Sequence, residues 1–224
     1  MTSQRLPGKM LREVAGRPML QYVVDAVRAV RGLAGLVVAT SSEASDDPIA
    51  DYCAQQKISL CRGPLEDVAG RFLQVLDAHP NWDAFLRVTG DSPLLDPAIC
   101  EQALELYRTE RPDLVGNTLR RTFPKGQSVA VVSATAFRRA CAAMAEPEDR
   151  EHVTRYLLHR PEEFRMIGFT REPDRGTLDL SVDTEEAFQL FAVLVGSLER
   201  PPWTYRLADL LDRYDKIAPG QSGS

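Results

Sequence analysis

The sequence predicts an α/β fold built on a mostly parallel sheet, and three observations carry that prediction. Short, mainly apolar runs, Leu36-Val37-Val38-Ala39 and Ala84-Phe85-Leu86-Arg87-Val88, have the character of strands buried on both faces. Between them lie segments whose apolar residues recur at helical spacing, and strand alternating with helix implies parallel strands joined by right-handed crossovers. A chain of 224 residues, 44% of them hydrophobic, supplies one sizeable core.

The elements follow in order. Pro18 suits a helix first turn, Met19, Leu20, Val23, Val24, Ala26, Val27 and Val30 form the apolar face, and Gly32 ends the run. Leu36–Ala39 is a strand, 46–56 a helix, and Ile58-Ser59-Leu60-Cys61 a second strand. Val68, Phe72, Val75 and Leu76 mark a third helix, 84–88 a strand closed by Gly90, and Asp96-Pro97 a helix start with its cap and an N1 proline. After Asn117 the βα rhythm loosens. Strands are expected at 128–132 and 164–169, and helices at 135–144, 150–158, 185–198 and 207–214. Residues 1–217 read as one domain, 118–170 as a substrate or dimer subregion within it, and the Pro/Gly/Ser-rich 218–224 as a flexible tail.

The chemistry concentrates at the start. Ser3, Arg5, Gly8 and Lys9 fall in one turn-prone stretch around Pro7-Gly8. A glycine turn with exposed N–H groups and two cations suits a nucleoside triphosphate; a basic chain terminus is the plain alternative. Asp91 follows a strand and a glycine at the carboxyl edge of the sheet, where open α/β sheets bind ligands. A carboxylate there suits Mg²⁺, and a turn aspartate before Ser92-Pro93 is the alternative. Asp183 precedes Thr184-Glu185-Glu186, where it reads equally as a helix cap.

Several segments together resemble the cytidylyltransferases. Ser3-Gln4-Arg5-Leu6-Pro7-Gly8-Lys9, Ala39-Thr40-Ser41-Ser42, Asp46-Asp47-Pro48-Ile49-Ala50, Arg87 to Pro97, Glu151-His152-Val153-Thr154 and 181–186 occur in that family's order and spacing. The likeness runs from Met1 to about Leu194 and is strongest to the branch named for a spore-coat polysaccharide protein, related to the CMP-Kdo and CMP-sialate synthetases. It implies a Rossmann-like, GT-A-like three-layer fold of the nucleotide-diphospho-sugar transferases. It also implies a homodimer and transfer of CMP from CTP to a sugar or sugar acid with release of pyrophosphate. By resemblance, Ser3, Arg5, Gly8 and Lys9 wrap the triphosphate and Ala39, Thr40 and Ser41 read the base; Arg62 and Arg87 read as further nearby cations or as solvated faces. Lys125 and His152 face the acceptor, Asp91 and Asp183 ligate Mg²⁺, and Arg5, Lys9 and Asp91 act in catalysis. Asp179 stands where relatives often carry a base. The family's first strand and the Arg after it have no counterpart before Met1, so the expectation is a start misassigned downstream of that strand.

Other classes fit less well. A formal net charge of −5 argues against a general nucleic-acid binder. The cysteines Cys53, Cys61, Cys100 and Cys141 lack metal or redox spacing and read as free thiols. No apolar run spans a membrane and no signal peptide is visible, so a cytoplasmic protein is expected. A GT-A-like glycosyltransferase would normally carry Asp-x-Asp at the strand end, where this chain has Asp91-Ser92-Pro93. A non-catalytic nucleotide-binding module is the other alternative.

Overall fold

The computed structural model describes residues 6–218. A short hairpin, β1 (Glu13–Val14) and β2 (Arg17–Pro18), precedes helix α1 (Met19–Arg28). Strand β3 (Val37–Ser41), helix α2 (Asp47–Gln55), strand β4 (Ser59–Gly63), helix α3 (Val68–Ala78) and strand β5 (Ala84–Arg87) keep the expected alternation. Helix α4 (Pro97–Glu110) then leads into β6 (Leu114–Gly116) and β7 (Ala130–Ser133). Helices α5 (Ala134–Ala143), α6 (Pro147–Glu151) and α7 (Arg155–Leu158), strand β8 (Met166–Gly168), and helices α8 (Glu185–Gly196) and α9 (Leu207–Ile217) complete the order.

The sheet departs from the expectation of one mostly parallel array. β3 and β4 form a parallel pair by themselves, and a separate ladder runs β5-β7-β6-β8. Within that ladder β7 is antiparallel to β5 and β6, and only β6 and β8 are parallel. The physical reason lies in the loosened region: β7 returns from the loop after Asn117 and enters between β5 and β6, where no helical crossover reverses it. The segment 150–158 also divides: α6 stops at Glu151 and α7 starts at Arg155. Pro18 lies in β2 and caps α1 from outside rather than opening it.

Three layers result. On one face of the larger ladder, Leu86, Val115 and Val131 pack with α1, α4 and α9 through Ala26, Val30, Ala103, Leu207 and Leu211. On the other, Phe85, Leu114 and Val132 pack with α3, α5 and α7 through Leu76, Phe137, Ala140 and Leu157. Strict alternation along each strand produces this division. The α1 and α3 helices reach both ladders: Leu20 and Val24 of α1 pack with Val38 and Leu60, while Phe72 of α3 meets Phe85 at 5.1 Å between ring centroids. Because β5, β6 and β8 share a direction, the loops 88–96, 117–129 and 169–183 leave from one edge. That shared edge is where ligands collect in such sheets.

A fully buried amide ties two of these loops together. Gln127 Nε2 donates to Leu94 O at 2.7 Å, and its Oε1 accepts from Asp96 N at 3.0 Å. Asp96 in turn caps α4 by accepting from Ala98 N, and accepts Leu207 N at the start of α9. Beside it, Gly126 sits at φ 82°, and a Cβ there would come within 2.7 Å of the Leu180 carbonyl carbon. Gly126→Ala is expected to cost about 2–3 kcal/mol, from left-handed strain plus a backbone clash, read as a lower urea midpoint at unchanged m-value.

Candidate active site

The glycine turn lies against the two carboxylates that the resemblance singled out. Gly8 adopts φ 67° and starts a 3₁₀ turn over Lys9–Leu11, a conformation that glycine enters without Cβ strain. Lys9 emerges from that turn with its side chain mostly buried. Its Nζ donates to Asp183 Oδ1 at 2.5 Å and to Val182 O at 2.9 Å. Val182 N donates to Asp91 O at 2.9 Å, so one backbone bond holds the two aspartate segments side by side. Asp91 is half-buried, and Ser92 Oγ donates to its Oδ1 at 3.2 Å. Thr184, rather than Asp183, supplies the α8 cap by accepting from Ala187 N, leaving Asp183 to meet Lys9. Ser3 and Arg5 lie outside the described residues.

A second anchor on this turn was not read from the sequence. Arg12 makes a two-pronged ion pair with Glu185, at 2.5 and 2.9 Å, and stacks over the Phe188 ring at 3.9 Å. Hydrogen bonds from Arg12 and Gln189 bring the Glu185 carboxyl down to about 2. The spacing of Glu185 and Phe188 on one helical face was legible, but their partner lies far away in sequence.

The base-reading segment is placed differently from expectation. Ala39 is half-buried, whereas Thr40 is buried and Ser41 fully so. Both hydroxyls donate to Asp46 Oδ2, at 2.6 and 2.7 Å, and Ser41 N donates to the same oxygen at 2.9 Å. Burial pushes the Asp46 carboxyl up, and the hydroxyls of Thr40 and Ser41 outweigh it, so its pKa falls well below the usual value. Arg62 braces the same strand end from β4: it donates to Ser41 O and Glu43 O and pairs with Asp47 at 2.8 Å. Thr40, Ser41 and Arg62 are therefore engaged within the protein and shape the β3 end; of the expected base-reading residues, Ala39 stays half-exposed there. Sequence reasoning passed over Asp46 because an aspartate beside Asp47-Pro48 reads as a helix start. Asp46→Asn is expected to cost about 2 kcal/mol at neutral pH, since amide oxygen accepts more weakly than carboxylate. The folded pKa is depressed, so this stability is present above about pH 4 and is lost as pH falls. Urea melts of both proteins at pH 7 and near pH 3 check it, with the gap closing in acid.

On the acceptor side, Lys125 pairs with Asp179 at 3.2 Å, and the two segments bond through Lys125 N to Leu178 O and Leu180 N to Lys125 O. Burial raises the Asp179 carboxyl, but Ser181 and Lys125 lower it further, and the net direction is down. The acid standing where a base was expected is thus neutralised by Lys125. His152 lies exposed at the break between α6 and α7. Cys53, Cys100 and Cys141 are buried and Cys61 half-buried, all as free thiols. Among the described residues no group of three or more His, Cys, Asp or Glu side chains could hold a metal alone. Two aspartates beside a basic glycine turn fit Mg²⁺, which usually keeps water and substrate phosphate oxygens in its shell.

Comparison with known proteins agrees with this geometry. A family model described as cytidylyltransferase matches residues 1–194. The chain is 31% identical to the spore coat polysaccharide biosynthesis protein SpsF of Bacillus subtilis, over 90% of this chain and 85% of that one. Its fold superposes on a cytidylyltransferase from Leptospira borgpetersenii with a TM-score of 0.89 at 24% identity, covering 99% of this chain and 92% of the other. It also superposes, at TM-score 0.62 and 17% identity, on a CMP:2-keto-3-deoxy-manno-octonic acid synthetase complexed with CTP, covering 86% and 93%.

Proposed function

The chain belongs to the cytidylyltransferase family, and from that premise we propose that it transfers CMP from CTP to a sugar or sugar-acid acceptor of a surface polysaccharide or glycoconjugate. The observation that carries the reading is the 2.5 Å contact of Lys9 with Asp183 at the sheet edge, next to the 2.9 Å backbone bond from Val182 N to Asp91 O. In the reaction an acceptor oxygen forms a bond to the α-phosphorus of CTP, the bond from that phosphorus to the β-phosphate oxygen breaks, and pyrophosphate leaves. Such a transfer depends on positioning and charge neutralisation more than on a protein nucleophile. Lys9 is the point charge for the departing phosphates. Asp91 and Asp183 are the residues that would hold Mg²⁺, which would neutralise phosphate charge when bound. Asp91, at the end of a rigid strand, is also placed to take up the acceptor's proton. The loop 6–12, pinned by Arg12 to Glu185, keeps the cation at a fixed place.

The same proposal includes a homodimer formed through 118–170, with the cytoplasm, where CTP is made, as its site of action. No helix among the described residues is long and apolar enough to cross a membrane.

The test is pyrophosphate release on incubation with CTP, Mg²⁺ and a panel of sugars and acidic sugars. Release that requires both CTP and one acceptor supports the proposal. CTP-independent release, or a protein that fails to bind CTP, overturns it.

A further inference from the structure

Arg87 ends β5, four residues before Asp91. Its side chain is half-buried and makes no hydrogen bond or ion pair among the described residues, and burial lowers its pKa, opposed by the charge of Asp91. Other arginines near the site edge are engaged: Arg62 by Ser41 O, Glu43 O and Asp47, Arg121 by Ser128, and Arg175 by Asp215. The guanidinium nitrogens of Arg87 are not among the sealed polar atoms, a class that among the described residues contains only Arg71 Nε. They reach solvent at the ligand edge of the sheet.

A half-buried guanidinium whose donors meet only water is open to an anion that replaces that water with charge-assisted hydrogen bonds. Asp91 could have been that partner, yet no contact within ion-pair distance forms. The strand pairing shows which residues stand beside the guanidinium, and the Leu119 side chain lies over Gly116 and Gly168 farther along the row. Arg87 stands opposite Ala130, which stands opposite Gly116, and Gly116 opposite Gly168. Register pairs share a face of the sheet, so the row beside the guanidinium carries only small residues, and it runs toward the loops 117–129 and 169–183. The nucleotide turn approaches instead at Gly90, Val182 and Asp183.

We propose that Arg87 receives an oxyanion of the acceptor, a carboxylate or phosphonate, and so selects acidic acceptors. The planar fork of a guanidinium fits such a group in a two-pronged contact. This inference rests on the cytidylyltransferase reading above, and the experiment separates the two.

Wild type, Arg87→Gln and Arg87→Lys are titrated calorimetrically with CTP. The CTP-loaded proteins, without Mg²⁺, are then titrated with 3-deoxy-manno-octulosonate, N-acetylneuraminate and their methyl esters. The expected result is equal CTP affinity in all proteins and at least about tenfold weaker acid binding in Arg87→Gln. Arg87→Lys should recover part of the loss, and the neutral esters should bind all of them alike. Thermal melts accompany the titrations, and Arg87→Gln should melt no lower than wild type, because it removes an unpaired, partly buried charge. Unchanged acid binding in Arg87→Gln overturns the proposal. Weakened CTP binding or a lowered melting temperature in that variant also overturns it, by making Arg87 a nucleotide or structural residue. Failure of wild type to bind either acid while it binds CTP overturns it too. Failure to bind CTP overturns the parent reading.

Discussion

Asp91→Asn is expected to lower kcat for pyrophosphate release by about a thousandfold or more, equivalent to about 4 kcal/mol of transition-state stabilisation. The size follows from three features of the site. On the proposed reading, Asp91 is one of two carboxylates at the sheet edge that would hold a divalent cation, so its charge is half of what they would offer. It is also placed to accept the acceptor's proton, a task that an amide cannot perform. Its position does not depend on its charge: Val182 N donates to its backbone oxygen at 2.9 Å, and among the described residues its carboxylate accepts one hydrogen bond, from Ser92 Oγ at 3.2 Å. Asparagine therefore fits the same place, and the melting temperature should stay close to that of wild type. Affinity for CTP without Mg²⁺ should hold as well, or rise slightly, because a negative charge beside the phosphates is gone. Steady-state pyrophosphate release, a thermal melt and metal-free CTP titration read these separately. Activity within tenfold of wild type would remove Asp91 from the chemistry.

The sequence made the βα half of the fold legible because each element there reports itself locally. Met19 to Val30 shows a helical stripe, Asp96-Pro97 a cap, and Leu36–Ala39 an apolar strand, and all three form. Sheet pairing is less local. Nothing in Ala130-Val131-Val132-Ser133 says that it will run antiparallel between β5 and β6, since strand order depends on which edges lie open once the helices have packed. The candidate site divides along the same line. Gly8, Lys9, Asp91 and Asp183 stand in motifs whose chemistry can be read in place, and the fold brings Lys9 and Asp183 together across 174 positions. Asp46 and Gln127 could not be found this way, because a buried polar side chain reveals its role only through distant partners. The hydroxyls of Thr40 and Ser41 had the right chemistry for reading a base, but Asp46 holds them within the protein. What the local sequence offers as ligand groups, the tertiary structure uses as supports.

Lys9→Met is expected to reduce kcat/KM for CTP by about a hundredfold to a thousandfold, with both kcat and KM affected. A lysine that binds phosphate in the ground state contributes to KM, and one that meets the charge growing on pyrophosphate contributes to kcat. Without nucleotide the ammonium is committed to Asp183 and Val182 O, so phosphate entry must exchange one set of oxygens for another. Losing the lysine therefore has a structural side. Its side chain is 12% exposed and that of Asp183 34%, a partly buried pair whose loss leaves a carboxylate with less compensation. Methionine keeps the length and the apolar stem but not the charge, and a drop in stability of about 1–2 kcal/mol is expected from removing one partner of a charged hydrogen bond. The double variant Lys9→Met with Asp183→Asn separates the two contributions. Removing both charges should restore most of the stability, because the carboxylate that lost its ammonium is then neutral as well. It should restore none of the activity, because the phosphate cation and one metal ligand are both missing. A double variant that recovers turnover along with its melting temperature would show that Lys9 acts only by neutralising Asp183 and makes no contact with phosphate.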